Sequence, residues 1–140
     1  MTILPQLIKG NSHTDSRGVL HFNNDFNAFG VKRMYTIQNR DTEFIRGWQG
    51  HKIEQRWFSV VQGSFQIKLI AIDDWDCPLP SLQQHHFILN SHNMDVLHVP
   101  SGYVSSIQAL EASSKLLLMS DYAVGEINDE YRFDINYFTT

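Results

Sequence analysis

The sequence predicts an all-β fold, a sandwich or barrel of short strands. Up to Tyr122 the chain consists of short runs rich in β-branched and aromatic residues, separated by turn residues, and no segment shows a long helical period. The 140 residues, 42% of them hydrophobic, suffice for one domain with its own core, which we place at residues 1–140. Such a fold makes an interior cavity available for a ligand.

Each predicted strand is an apolar or aromatic run, bounded mostly by turn-forming residues. In chain order these strands span residues 3–8, 18–22, 31–38, 44–51, 55–62, 65–72, 85–89, 96–99, 104–110 and 115–121. Residues 73–84 contain Pro78 and Pro80 and are predicted to form a loop, because proline cannot donate to a central strand ladder. Residues 125–138 mix acidic and aromatic side chains and are predicted to form either a short helix or an arm packed on the barrel.

Segments 56–62 and 65–70 are predicted to form a β-hairpin. Gly63 lies between them and can supply the positive φ that a tight turn requires. Alternation along the second segment predicts that three apolar side chains share one face, namely Phe65, Ile67 and Leu69.

Charge and composition exclude several classes of function. The formal net charge of −4 argues against a general binder of nucleic acid or anionic membranes. Cys77 is the lone cysteine, so neither an intrachain disulfide nor a multi-cysteine zinc site can form, and a cytoplasmic location is expected. The N-terminus lacks the pattern of a secretory signal, and no apolar run reaches membrane-spanning length.

Residues 46–58 form the most informative stretch, because ionisable side chains and glycines interrupt a predicted strand. Residues two apart on a strand point to the same side, so Gln49 and His51 share a face. Histidine moves protons near neutral pH, and the flanking Arg46 and Arg56 can bind anionic or carbonyl oxygens. The stretch is therefore either a ligand-facing strand or a half-buried strand with a surface histidine.

Several short motifs occur in order along the chain: Asp15-Ser-Arg-Gly18, Val31-Lys-Arg-Met-Tyr35, Arg46-Gly47, His51-Lys52, Glu54-Gln55, Gly63-Ser64 and Ser120-Asp121-Tyr122. From about residue 15 to residue 138 the chain resembles the cupin-fold sugar-nucleotide ketoisomerases. It is most similar to the dTDP-4-keto-6-deoxyglucose 3,4-ketoisomerases and more distantly similar to the dTDP-4-dehydrorhamnose 3,5-epimerases. The resemblance implies a cupin barrel, which is a double-stranded β-helix or jelly roll, with a short C-terminal arm.

The chain departs from both families at their histidines. The ketoisomerases carry an Arg-Gly-x-His-Ala-His pattern, in which Gln49 replaces the first histidine here and His51 keeps the second. The base of the 3,5-epimerases corresponds to Gln49, which cannot act as a base. Their later Pro-x-Gly-x-x-His segment ends here in Ser105. Cupins that hold a metal use a His-x-His pair, a following carboxylate and a later histidine. Here two of the three imidazoles are missing and Glu54, the candidate carboxylate, lies at a different spacing, so we expect neither a metal nor another cofactor.

The resemblance implies roles for individual residues. We expect His51 to transfer a proton, while Arg46, Gln49 or Tyr35 stabilises the oxyanion. A phenol at the barrel mouth can donate a proton to an enolate or stack on a base, which is the expectation for Tyr35, Tyr103 and Tyr122. Of these, Tyr35 and Tyr122 are the expected catalytic partners of His51. The expected substrate-binding residues are Arg33, Arg46, Gln49, Arg56, Tyr103 and Ser105. Candidates for the pyrophosphate are Arg17, Lys32, Arg33, Arg56 and Lys68.

The chain is therefore predicted to be a nucleotide-sugar epimerase or ketoisomerase that acts without a metal on a dTDP-4-keto-6-deoxyhexose, in cell-surface polysaccharide synthesis. The missing histidine favours a changed substrate, a one-centre epimerase or a slower enzyme over an unchanged ketoisomerase. The alternative is an inactive cupin that binds a nucleotide sugar or a partner protein. The resemblance also implies a homodimer that exchanges N-terminal strands.

Overall fold

The computed structural model describes residues 3–139 and is built from strands, with no helix in that range. The prediction of one domain over 1–140 also includes residues 1, 2 and 140, which lie outside the described part. In chain order the strands are β1 (Gln6–Ile8), β2 (Asn11–Asp15), β3 (Gly18–Phe22), β4 (Arg33–Ile37), β5 (Ile45–His51), β6 (Arg56–Gln62), β7 (Ser64–Ala71), β8 (His85–Asn90), β9 (Val96–Val99), β10 (Tyr103–Ala109), β11 (Lys115–Ser120) and β12 (Tyr131–Arg132).

Two five-stranded antiparallel sheets form the body of the molecule. The first sheet has the order β1-β9-β6-β11-β4 and the second has the order β12-β5-β10-β7-β8. From β4 to β7 and again from β8 to β12, each consecutive strand crosses to the other sheet, as in a jelly roll. Strands β2 and β3 form a separate hairpin. The predicted all-β architecture is therefore confirmed.

The main core lies between the two sheets. Phe58, Leu97 and Leu118 contribute from the first sheet, and Phe65, Ile67 and Leu69 contribute from β7 of the second. The last three side chains are fully buried, which confirms that they share a face. Burial of this apolar surface is the main favourable term in folding.

A second apolar cluster covers the outer face of the second sheet. It consists of Trp48, Ile70, Val104 and Phe138, with further aromatic residues packed around them. The Trp48 and Phe138 rings meet edge to face, with centroids 5.4 Å apart. Residues 125–138, called the C-terminal arm below, therefore form the predicted packed arm, and the alternative prediction of a short helix is wrong.

The predicted hairpin of 56–62 with 65–70 is wrong. Strands β6 and β7 follow one another closely but belong to different sheets, since β6 pairs with β9 and β11 while β7 pairs with β8 and β10. Gly63 does adopt the expected positive φ, at 74°. The turn carries the chain from one sheet to the other instead of returning it alongside β6.

Three further differences concern the ends of the chain. The strand predicted over 3–8 is shorter, because only Gln6–Ile8 pair with β9. Strand β2 was not predicted, since its polar sequence lacks an apolar alternation. Strand β12 consists of two residues in the C-terminal arm and pairs with β5.

Candidate active site

A cavity opens between the two sheets at one end of the barrel. It contains about 480 Å³ of space, open solvent included. Its lining is partly apolar, with Phe58, Ile107 and Leu118, and partly polar. A second hollow of about 430 Å³ shares five residues with it and extends to Arg33 and the C-terminal arm. The shared residues are Tyr35, Gln49, His51, Glu54 and Arg56.

His51 ends strand β5 and is buried, with a side chain 9% exposed. Its Nδ1 lies 2.9 Å from the backbone carbonyl oxygen of Asp129 and 3.1 Å from Oε2 of Glu54. A carbonyl oxygen and a carboxylate oxygen can only accept, so Nδ1 carries the proton. The lone pair of Nε2 is thereby left free, and Nε2 is the basic nitrogen of the site.

The pKa of His51 lies below the usual histidine value. Burial is the largest cause, and the positive charge of Arg56 lowers the pKa further. The negative charge of Glu54, the hydrogen bond to Asp129 and the charge of Asp129 act in the opposite direction. His51 is therefore neutral at pH 7, in the form that accepts a proton.

Glu54 and Arg56 form a buried ion pair beside His51. Arg56 Nη2 donates to Glu54 Oε2 at 2.8 Å, and the two side chains are 9% and 7% exposed. Arg56 Nη1 also donates to the hydroxyl of Tyr35. One carboxylate therefore contacts both the histidine and the arginine, and the arginine contacts the phenol.

Asp129 holds the segment that follows β5. Its carboxylate accepts the backbone N–H groups of Lys52 at 3.0 Å and of Ile53 and Glu54 at 2.8 Å each. Asp129 is itself 5% exposed. The carboxylate thus satisfies three backbone donors at once, in the segment that carries Glu54.

The predicted pair of Gln49 and His51 does face one cavity, and both residues line both hollows. The Gln49 amide donates to Glu130 Oε1 at 2.5 Å. Ser105 and Arg46 also line the cavity, where the Ser105 hydroxyl donates to the Gln49 carbonyl oxygen at 3.4 Å.

Two of the predicted tyrosines line the cavity. Tyr35 lines both hollows, and Arg33 covers its ring, with the guanidinium carbon 4.7 Å from the ring centroid. Tyr103 is 3% exposed, and its hydroxyl donates to the Ile3 carbonyl oxygen at 2.8 Å. Burial raises the pKa of the Tyr103 phenol. The Tyr103 hydroxyl is therefore already bonded, whereas the Tyr35 hydroxyl contacts the buried ion pair.

The structure places four other predicted site residues elsewhere. Tyr122 does not line either hollow, and Lys32 Nζ lies 5.8 Å from its ring centroid. Lys32 Nζ is 3.5 Å from Glu126, at the exposed surface. Arg17 pairs with Asp15 at 2.7 Å on the β2–β3 hairpin. Lys68 alternates with the core residues of β7 and so faces away from the cavity.

The acidic residues of the site were not predicted as functional. Glu54 was considered only as a metal ligand, and neither Asp129 nor Glu130 was singled out. Both lie in the acidic C-terminal arm, where a carboxylate looks like ordinary surface charge.

Across residues 3–139, no three side chains of His, Cys, Asp or Glu are grouped as a metal site requires. Nor does this range contain a helix long and apolar enough to cross a membrane.

Comparison with protein families matches residues 4–140 to the family FdtA, described as WxcM-like, C-terminal. Comparison with curated protein sequences gave no match.

Several solved structures share the fold. One is the 3,4-ketoisomerase QdtA from Thermoanaerobacterium thermosaccharolyticum, a histidine-to-asparagine mutant in complex with TDP-4-keto-6-deoxyglucose. It is 21% identical with a TM-score of 0.73, over 98% of this chain and 93% of that chain. The rmlC epimerase of Mycobacterium tuberculosis is 16% identical with a TM-score of 0.74, over 97% and 73%. ChmJ, a 3′-monoepimerase from Streptomyces bikiniensis in complex with dTDP-quinovose, is 14% identical with a TM-score of 0.71, over 94% and 70%. These likenesses confirm the predicted cupin barrel.

Proposed function

The chain belongs to the FdtA, WxcM-like C-terminal family, and from that premise we propose that it is a nucleotide-sugar isomerase that acts by enolisation. Its substrate is a dTDP-4-keto-6-deoxyhexose. QdtA, a structural relative, is a 3,4-ketoisomerase seen with TDP-4-keto-6-deoxyglucose, and other relatives are epimerases. The proposal extends this chemistry to the cavity around His51 and needs no metal in any step.

The observation that carries the proposal is the state of His51. The Nδ1 proton is held by the Asp129 carbonyl oxygen at 2.9 Å, and Glu54 Oε2 lies 3.1 Å from Nδ1, so Nε2 is the available base. A neutral imidazole in a buried cavity is suited to removing a proton from carbon next to a carbonyl group. Glu54 then stabilises the imidazolium that forms, because its carboxylate lies next to Nδ1.

The reaction starts at C3 of the 4-keto sugar. His51 Nε2 removes the C3 proton, and the electron pair of that bond moves into the C3–C4 double bond of an enolate, leaving negative charge on O4. Arg56 and Tyr35 provide the positive charge and the donor next to His51 that such an oxyanion needs. Return of the proton from His51 to C4, with transfer of the O3 proton to O4, gives the 3-keto isomer. The atoms and charges of substrate and product balance, and the enzyme is regenerated.

The missing family histidine by itself favours a one-centre epimerase, but a cavity lined by one histidine, His51, favours isomerisation over inversion. A single base can remove a proton from C3 and return it to C4 on the same face of the sugar. Inversion at C3 requires a second donor on the opposite face, and Tyr35 is the side chain that would have to supply it. We therefore propose a same-face 3,4-ketoisomerase, with 3-epimerisation as the competing outcome.

The nucleotide is proposed to bind on the side of the second hollow. Arg33 lines that hollow, and Arg46 lines the first. Charge-assisted contacts from arginine are well suited to a pyrophosphate. Gln49, Ser105 and Tyr103 are proposed to contact the sugar.

The proposal also includes a homodimer, a cytoplasmic location and a role in cell-surface polysaccharide synthesis. The dimer and the role in polysaccharide synthesis rest on the resemblance between the sequence and the ketoisomerases, and the cytoplasmic location rests on the lone cysteine, Cys77. Analytical ultracentrifugation tests the first, because a mass near 32 kDa instead of 16.2 kDa is expected for a dimer.

The test is NMR of the protein with dTDP-4-keto-6-deoxyglucose in D₂O, compared with the His51→Asn variant. We expect deuterium at C3 or C4 and a 3-keto product, both abolished in the variant while ligand-induced shifts remain. His98→Asn is the matched control, because His98 is half-buried and its pKa is likewise lowered by burial, but it does not line the cavity. A protein that binds the nucleotide sugar but gives neither deuterium exchange nor a 3-keto product would be a binding module, and the proposal would be wrong.

A further inference from the structure

We propose that Asp129 is the positioning residue of this site, which sets the tautomer of His51 and holds the segment that carries Glu54. The inference rests on the proposed role of His51 as the base. Asp129 lies in the C-terminal arm, 78 residues from His51 in the chain, and does not belong to any of the motifs that resemble the ketoisomerases.

Both the backbone carbonyl and the side-chain carboxylate of Asp129 make hydrogen bonds at the site. Its backbone carbonyl accepts the Nδ1 proton of His51 at 2.9 Å, which directs Nε2 to be the base. Its carboxylate accepts three consecutive backbone N–H groups, those of residues 52, 53 and 54, at 2.8–3.0 Å. Because the residue is 5% exposed, water cannot readily replace these bonds.

The three hydrogen bonds to the Asp129 carboxylate determine where Glu54 lies. The chain leaves β5 at His51, and residues 52–54 must turn so that Glu54 Oε2 comes within 3.1 Å of Nδ1 of the same histidine. The Asp129 carboxylate fixes that turn, since it satisfies every backbone donor in it. Asp129 therefore acts on the base in two ways, through its own carbonyl and through the placement of Glu54.

The charges around His51 allow this role to be measured. Arg56 faces His51 from β6, Glu54 from the connecting segment and Asp129 from the arm, while Tyr35 and Arg46 share the cavity. Arg56 lowers the pKa of His51, whereas Glu54 and Asp129 raise it. Removing the charge of Asp129 must therefore lower the pKa of His51 further, which loss of packing alone would not do in a defined direction.

The first test uses the unaltered protein. Nitrogen-15 NMR of histidine-labelled protein, above the pKa of His51, is expected to show the proton on Nδ1 and a bare Nε2. Hydrogen exchange is expected to be slow at the amides of residues 52–54, although they lie outside the strands. A proton on Nε2 would overturn the proposal, and so would fast exchange at all three amides.

The second test compares Asp129→Asn with Asp121→Asn. Asp121 is a matched control, because its carboxylate accepts the backbone N–H of Gln55 at 2.8 Å, one residue beyond the segment, without contacting His51. We expect Asp129→Asn to lower the pKa of His51 in the NMR titration and to reduce kcat/KM about tenfold, the effect of misplacing one hydrogen bond to a reacting group. Asp121→Asn is expected to change neither.

An equal change in both variants, or no change in either, would overturn the proposal. The titration needs no substrate, so it tests the positioning of His51 even if the protein fails to turn over a keto sugar. In that case the proposed function is wrong while the role of Asp129 is still measured. If Asp129→Asn does not fold, the tautomer and the amide exchange of the unaltered protein decide the matter.

Discussion

Replacing Glu54 by Gln is expected to destabilise the protein strongly, because it leaves the positive charge of Arg56 buried without its ion-pair partner. The change keeps the size of the side chain and removes its negative charge. Arg56 and Glu54 are 9% and 7% exposed, and their atoms are 2.8 Å apart. At an effective dielectric constant of about 20, two unit charges at that distance attract by about 6 kcal/mol, part of which offsets their desolvation. Breaking a buried pair on one side typically costs about 3–5 kcal/mol.

Urea denaturation followed by tryptophan fluorescence measures this cost. With an m-value of about 2 kcal/mol/M, a loss of 3–5 kcal/mol lowers the midpoint by roughly 2 M. The double variant Glu54→Gln/Arg56→Gln removes both charges and is expected to be less destabilised than the sum of the two single variants, by at least about 2 kcal/mol. Lys32→Gln, which breaks the exposed pair with Glu126, serves as the control and should leave the midpoint unchanged.

A cost below about 1 kcal/mol for Glu54→Gln, typical of solvent-exposed pairs, would refute this reasoning. Additive costs in the double variant would refute it as well. Either result would mean that water reaches the ion pair. The Glu54 carboxylate would then be screened by water and would stabilise an imidazolium at His51 only weakly.

Two further predictions concern close packing and pH. Gly50→Ala is expected to cost about 1–3 kcal/mol in urea denaturation, because its Cβ would lie 2.1 Å from the Tyr103 carbonyl oxygen. Gly30→Ala, with nothing within 4 Å, should change stability by under about 0.5 kcal/mol. The pKa of His51 is lower in the folded protein than in the unfolded chain, where it is about 6.5. Below that pH, His51 therefore binds a proton more readily in the unfolded chain than in the folded protein. Stability relative to His51→Asn should therefore fall as pH drops from about 6.5 towards the folded-state pKa, and a pH-independent difference would contradict this.

The strands were predictable because the residue pattern that marks each strand lies within the strand itself and in the turn residues beside it. Residues 18–22 and 96–99 form strands with the predicted bounds, since each is a short apolar run between turn residues. The choice of partner is not local. Gly63 marks a turn between β6 and β7, but the same signal serves a hairpin or a crossing between sheets. Only the packing of both faces of the barrel decides between them, and the sequence around Gly63 does not contain that information.

The part of the site that lies on a single strand was predictable from the sequence. Alternation along β5 correctly brought Gln49 and His51 to one cavity, and Arg56 follows on the next strand. The contacts of Asp129 could not be predicted, because they use a backbone carbonyl and three backbone N–H groups, which any residue type has. Hydrogen bonds of this kind leave no pattern of side chains in the sequence.

Strand β5 links the C-terminal arm to the chemistry of the cavity. On its outer side, Trp48 packs against Phe138. Along its edge, the Trp48 and Phe133 backbones exchange hydrogen bonds of 3.2 and 3.0 Å. On its inner side, His51 is held by the carbonyl of Asp129. The same arm therefore contacts both faces of the strand that carries His51, the proposed base. Buried aromatic contacts stabilise the arm. The arm carries the Asp129 carbonyl oxygen that accepts the Nδ1 proton of His51, so the apolar cluster on the outer face also helps to keep Nε2 unprotonated within the cavity.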